Sequence, residues 1–192
     1  EYDKIYCVSE PVRKQVIARF PELADRTEVL LNFIDIKQVQ RRSEEPLSDP
    51  QYTGELKFLT VGRASEEKGY DIAVQITAEL KKRGLCFKWF IIGDGRDLNK
   101  LRTMAKEYQV EQEIIFLGMR ENPAPYVKSC DLYLQPSRHE GYPITIVEAR
   151  SLQKVIIASD IPSMREQIRD GENGYLCPLD VMQFADKIQK VL

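Results

Sequence analysis

The sequence predicts an α/β fold built on a Rossmann-like parallel sheet with helices on both faces, and three observations carry that prediction. From about residue 54 onward, short apolar runs alternate with stretches of helical period. The strand-length runs, such as Val155-Ile156-Ile157-Ala158, are almost continuously apolar, as strands covered on both faces must be. Glycine, small residues and charge gather just after these runs, where a doubly wound sheet opens its binding crevice.

In chain order, residues 4–8 read as a short strand. Ser9 followed by Pro11 then starts a helix with Val12, Val16, Ile17 and Phe20 at helical spacing. A second strand is expected over 28–31. Residues 36–54 are polar and carry Arg41-Arg42-Ser43-Glu44-Glu45-Pro46 and Pro50, so they read as a linker or surface loop. The main domain is therefore expected to span 54–192. Within it the pattern gives strands at 56–61, 87–92, 114–117, 132–135, 155–159 and 174–176. Helices are expected at 70–82, 97–108, 125–129, 143–152, 163–168 and 181–192.

The composition narrows the function. With 43% hydrophobic and 30% charged residues, 192 residues can bury one sizeable core. A net charge of −2 with Lys and Arg spread along the chain offers no basic stripe, so no nucleic-acid partner is expected. The longest apolar runs are far short of the ~20 residues that a spanning helix needs. No N-terminal signal pattern is apparent, and the expectation is a cytoplasmic chain. Cys7, Cys86, Cys130 and Cys177 form no C-x-x-C pair and read as reduced, mostly buried thiols.

Two loops stand out. Gly62 and Gly69 bracket Arg63 and Lys68 after one strand, a pair that would meet a diphosphate if it were not simply solvated. The stretch from Gln135 to Ala149 runs from a strand end through a loop holding His139, Glu140 and Gly141 into a helix that Pro143 is suited to start. The open N–H groups and the dipole of such a helix start attract anions.

Glu148, further along an otherwise apolar helix, pairs with Glu140 as a second carboxylate able to accept from sugar hydroxyls. Paired carboxylates also fit a glycosidase. His139 is open between a general base and an exposed loop residue. Gly93-Asp94-Gly95 begins a dinucleotide fingerprint whose third glycine position is Leu98, so a dehydrogenase is disfavoured. With no D-x-D pair, no metal site is expected.

In order along the chain, these motifs resemble family-four retaining glycosyltransferases: Gly62-Arg63-x-x-Glu66-Glu67-Lys68-Gly69, Ile91-Ile92-Gly93-Asp94-Gly95, Phe116-Leu117-Gly118, and Gln135-Pro136-Ser137-Arg138-x-Glu140-Gly141-Tyr142-Pro143 through Glu148-Ala149. The likeness extends to Asn32-x-x-Asp35 and covers essentially the whole chain. It implies the C-terminal half of a GT-B fold, with residues 1–53 the tail of an N-terminal acceptor domain plus linker, and 54–192 the nucleotide-sugar-binding domain.

By the same resemblance, Arg63 and Lys68 hold the donor diphosphate, Glu140 lies by the donor sugar, and Glu148 binds the ribose. Gly62, Gly93, Gly141, Tyr142, Pro143 and Ile144 line the donor, and Gly118, Met119 and Arg120 lie near the base. The implied reaction is retaining transfer of a hexose from a nucleoside diphosphate sugar, a substrate rather than a cofactor. The saccharide or lipid-linked acceptor, and any peripheral membrane contact, would come through the missing N-terminal domain. A non-catalytic binding or assembly module is the alternative.

The sequence departs from the family where Gln153 and Val155 replace a usual glycine and proline, so the turn after the last-named helix is expected to be built differently, with an effect on the sugar pocket.

Overall fold

Residues 2–192, described in a computed structural model, form two parallel sheets of unequal size. The smaller pairs β1 (Ile5–Cys7) with β2 (Thr27–Val29), Ile5 opposite Thr27. Between them run α1 (Glu10–Arg19) and a 3₁₀ turn at Pro21–Arg26. Ser9 starts α1 by accepting the Val12 N–H, and Pro11 sits in the first turn, where its missing N–H leaves nothing unpaired.

The stretch read as a linker contains a helix, α2 (Ile36–Ser43), capped by Asp35, whose carboxylate accepts the Gln38 N–H at 3.0 Å. The polar composition hid it, because only Ile36 and Val39 are apolar; the legible signal was the cap. The segment is also fixed rather than loose. Arg42 Nη2 donates to the Glu121 carbonyl at 2.9 Å, Gln40 Nε2 to the Ser151 carbonyl at 3.3 Å, and Arg120 grips Asp49.

The larger sheet has six strands: β3 (Lys57–Val61), β4 (Lys88–Ile92), β5 (Ile114–Gly118), β6 (Leu132–Gln135), β7 (Val155–Ser159) and β8 (Tyr175–Cys177). Their order is β5-β4-β3-β6-β7-β8 and every pairing is parallel. The connecting helices are α3 (Tyr70–Lys82), α4 (Leu98–Glu107), α5 (Ala124–Ser129), α6 (Ile144–Ser151) and α7 (Pro162–Arg165), and α8 (Val181–Val191) follows β8.

Alternation along the strands feeds two cores. Phe58, Trp89 and Ile91 pack with Leu80 and Phe184 on one face, while Leu59, Phe90 and Tyr133 pack with Ile146 and Met164 on the other. The predicted α/β class and all six strands of this sheet are therefore present, with bounds moved by a residue or two. No helix among the described residues is long and apolar enough to cross a membrane.

The chain winds one way from β3 through β4 to β5 and the other way from β6 to β8. The reversal falls between β3 and β6, which pair with Phe58 opposite Leu132. Loops leaving two strands at such a point diverge and leave a crevice. Glycine lets them start close together: Gly69 has φ +66°, and a Cβ there would lie 1.9 Å from the Pro136 carbonyl oxygen.

Three helices end in one motif. Leu85, Val110 and Lys154 donate to the carbonyls of Leu80, Ala105 and Ala149, and the residue before each donor is left-handed. Gly84 takes that place after α3, but Gln109 and Gln153, both at φ 56°, take it after α4 and α6. The expected departure at Gln153 is thus one of residue type at a left-handed helix end. Gln153 adopts the conformation glycine favours, at the end of α6 opposite Pro143.

Candidate functional site

The loop after β3 carries Gly62, Arg63 and Ser65 into a 3₁₀ turn at Glu66–Lys68. Arg63 is exposed, and its side chain makes no hydrogen bond or ion pair among the described residues. Lys68 is placed by the turn so that its Nζ reaches both carboxylate oxygens of Glu140, each at 2.8 Å. Two N–H bonds are used, and a third is left for a ligand.

The loop after β6 supplies Glu140, whose side chain is only 6% exposed. Its Oε1 also accepts from Ser137 Oγ at 2.7 Å and from Gln135 Nε2 at 3.0 Å. The loop is fastened to its neighbour by backbone bonds from Arg138 and His139 to the Glu67 carbonyl, at 2.8 and 3.2 Å. Its far side meets the small sheet. Gly141 lies against Val8 and Val12, and the Tyr142 carbonyl accepts from Asn32 Nδ2 at 3.1 Å.

α6 then begins at Ile144, one residue later than the sequence suggested, with Pro143 as the extended residue before it. No side chain caps it, and while the Ile146 N–H donates to the Pro143 carbonyl at 3.3 Å, the N–H groups of Ile144 and Thr145 are left open to a ligand. A cleft of about 450 Å³ results, lined by both loops and the start of α6.

This cleft brings together seven of the residues expected at the site: Gly62, Arg63, Lys68, Glu140, Gly141, Pro143 and Ile144. His139 is on its wall. Gly93 and Tyr142 stand just behind it: Gly93 lies so near the Gly62 carbonyl that a Cβ would come within 1.9 Å of that oxygen, which makes its role one of loop packing.

Glu148 is half-buried on α6, outside the cleft wall, and its carboxylate has no hydrogen bond or ion pair among the described residues. Burial pushes its carboxyl above the usual range, against the opposing charge of Arg42. The 118–120 turn is not brought to the cleft. It follows β5, two strands from β3, and the Arg120 guanidinium is committed to Asp49 at 2.7 Å and the Tyr126 hydroxyl at 3.1 Å. Among the described residues no cluster of three or more His, Cys, Asp or Glu has metal-binding geometry.

Sequence reasoning missed the floor. Tyr133, Gln135 and Ser137 are fully buried beneath Glu140, and Arg138 is tied to Asp71 on α3. A polar Gln at the end of an otherwise apolar strand was the available signal, because a buried amide needs partners.

A doubly wound parallel sheet with an unpaired arginine, a lysine that keeps one spare N–H and an uncapped helix start at its switch point defines a Rossmann-like protein whose crevice can hold an anionic ligand. The family model for Glycosyl transferases group 1 matches residues 42–192, and the chain belongs to that family. It is 29% identical over 193 residues to an uncharacterized glycosyltransferase of Methanocaldococcus jannaschii, covering 98% of this chain and 45% of that protein. It is 30% identical over 191 residues to the lipopolysaccharide 1,6-galactosyltransferase of Salmonella typhimurium, covering 96% of this chain and 51% of that one. This chain thus spans about half the length of these two relatives.

The fold is shared with GT-B glycosyltransferases of known structure. Anabaena HepE in complex with UDP-glucose superposes with a TM-score of 0.83 at 20% identity, over 98% of this chain and 53% of that one.

Proposed function

We propose that this chain is the C-terminal, donor-binding half of a retaining hexosyltransferase, with residues 54–192 as the donor domain and 1–53 as the tail of the acceptor domain plus linker. The whole enzyme transfers a sugar from a nucleoside diphosphate sugar to a saccharide or lipid-linked acceptor in polysaccharide or glycoconjugate assembly. The acceptor and any membrane contact are supplied by the other half.

The observation that carries this reading is the cleft at the β3–β6 switch point, where unpaired Arg63, Lys68 with a spare N–H and the open start of α6 face one space. The bond from the anomeric carbon to the diphosphate breaks as the acceptor oxygen forms the new one on the same face, and the acceptor's proton passes to the departing phosphate oxygen. Negative charge grows on the diphosphate, so fixed cations stabilise the transition state more than the ground state and take the place of a metal ion. Glu140 accepts from the donor sugar, and Glu148 serves the ribose. Gly118 and Met119 remain nearest the base, without the Arg120 side chain.

A panel of UDP-, GDP- and ADP-sugars tests this. One series should raise the melting temperature, because a ligand bound only by the native state stabilises it by mass action. No shift with any of them overturns the reading. The 192-residue chain should bind but not turn over, and robust sugar transfer by it would contradict the missing-half assignment.

A further inference from the structure

Glu140 sits on a loop, yet its carboxylate is tied to Gln135 at the end of β6 and to Lys68 in the turn after β3. Its two oxygens are not equivalent. Oε1 accepts from Ser137 Oγ, Gln135 Nε2 and Lys68 Nζ at 2.7, 3.0 and 2.8 Å, whereas Oε2 accepts only from Lys68 Nζ at 2.8 Å. A carboxylate oxygen offers about two lone-pair sites, so Oε1 is filled and Oε2 keeps one free.

The donors are themselves held. Gln135 Nε2 also donates to Ser137 Oγ at 2.9 Å, and Gln135 Oε1 accepts from the Tyr133 hydroxyl at 3.3 Å. That hydroxyl in turn accepts the Val61 N–H at 3.3 Å. A flipped amide would set its oxygen against Glu140, so the amide has one orientation. Tyr133, Gln135 and Ser137 are each 0% exposed, and none can reach a ligand. A chain of hydrogen bonds thus links the end of β3 through the end of β6 to Oε1, with the Val61 carbonyl as a second acceptor for the Tyr133 hydroxyl at 3.5 Å.

We propose that Gln135 and Ser137, held in place by Tyr133, are positioning residues that saturate Oε1 of Glu140 and leave Oε2 as the one oxygen that reads a hydroxyl of the transferred sugar. This rests on the donor-site reading above and assigns where sugar, as distinct from nucleotide, is recognised.

Binding of UDP, GDP and ADP, and of their glucose conjugates, is measured by calorimetry on the wild-type chain and on Gln135→Leu and Ser137→Ala. One hydrogen bond to a charged group corresponds to a preference of about tenfold or more for the conjugate over its nucleotide in the wild type. Both variants should reduce that preference to within about twofold while moving the affinity for the nucleotide itself by less than about threefold.

Thr60→Val is the control, because it removes a buried hydrogen-bond pair to Leu134 and Trp89 elsewhere in the core. It should lower stability and keep the preference. If Gln135→Leu does not fold, Ser137→Ala carries the test alone. An unchanged preference in a folded variant, or a wild type without preference, overturns the assignment. A wild type that binds none of the six ligands overturns the donor-site reading, and this inference with it.

Discussion

Arg138 holds Asp71 through two parallel hydrogen bonds, Nη1 to Oδ1 at 2.7 Å and Nη2 to Oδ2 at 2.6 Å, and so clamps the loop that carries Glu140 to the first turn of α3. Both side chains are about a third exposed or less, and Nη1 also reaches the Glu66 carbonyl at 2.9 Å. Burial alone would raise the Asp71 carboxyl, but the bonds and charge of Arg138 prevail and hold it below its ordinary 3.8. A lowered carboxyl stabilises the fold above its unfolded value, and that stability is lost as pH falls through the folded value. Arg138→Gln should therefore cost about 1 kcal/mol near neutrality, a drop of about 2–4 °C in melting temperature. Its deficit should shrink toward pH 3. A deficit that stays constant across that range would contradict the clamp.

Arg63→Ala and Lys68→Ala should separate binding from stability. Arg63 has no partner to lose, so its removal should leave stability within about 0.5 kcal/mol and abolish the nucleotide-induced shift. Lys68→Ala strips a partner from a carboxylate 6% exposed, and should cost roughly 1–3 kcal/mol as well as the shift. Equal melting temperatures for the two variants would argue against the ion pair.

Glu148→Gln should stabilise the chain while impairing it. Burial raises the Glu148 carboxyl from its ordinary 4.5, with Arg42 opposing, so the folded state holds that proton more tightly than the unfolded one. Stability then falls as pH rises through the raised value. The amide variant escapes this and should melt higher than the wild type near pH 7, with the gap closing below about pH 4. Nucleotide affinity should drop at the same time. A gap independent of pH would contradict burial as the cause.

Gln153→Gly and Gln109→Gly test the left-handed helix ends. A side chain at φ 56° costs roughly 1–2 kcal/mol, against roughly 0.5–1 kcal/mol for the extra freedom glycine brings to the unfolded chain. Each change should raise stability by some tenths of a kcal/mol or more, measured by denaturant midpoint. A loss of stability at both sites would mean that the glutamine side chains contribute contacts of their own.

The strands of the large sheet were legible because each is a run of residues that must face apolar matter on both sides, and Phe58 and Leu59 do so in opposite cores. Arg63, Lys68 and Glu140 were legible as charges beside glycine at strand ends. Their pairing was not, because nothing local records that β6 pairs with β3, a partner 74 positions away by the Phe58–Leu132 register. Helix α2 escaped because surface helices with few apolar residues carry their signal in caps rather than in periodicity. The partner of Arg120 was not legible, because a basic residue at a strand end looks alike whether its side chain is open or, as here, held by the carboxylate of Asp49.

The switch point has a further meaning for assembly. On either side of it the chain can collapse by short right-handed crossovers, β3 to β5 and β6 to β8, each between strands close in sequence. The seam between the two halves must close the longest loop, and distant pairing of this kind slows folding. Neither half alone contains the site cleft, whose walls come from the loops after both β3 and β6, so it exists only once the seam has formed. A bound nucleotide should therefore slow amide exchange in β3 and β6 together. It acts as a bolt across the joint, and ligand occupancy becomes a readout of whether the two halves have met.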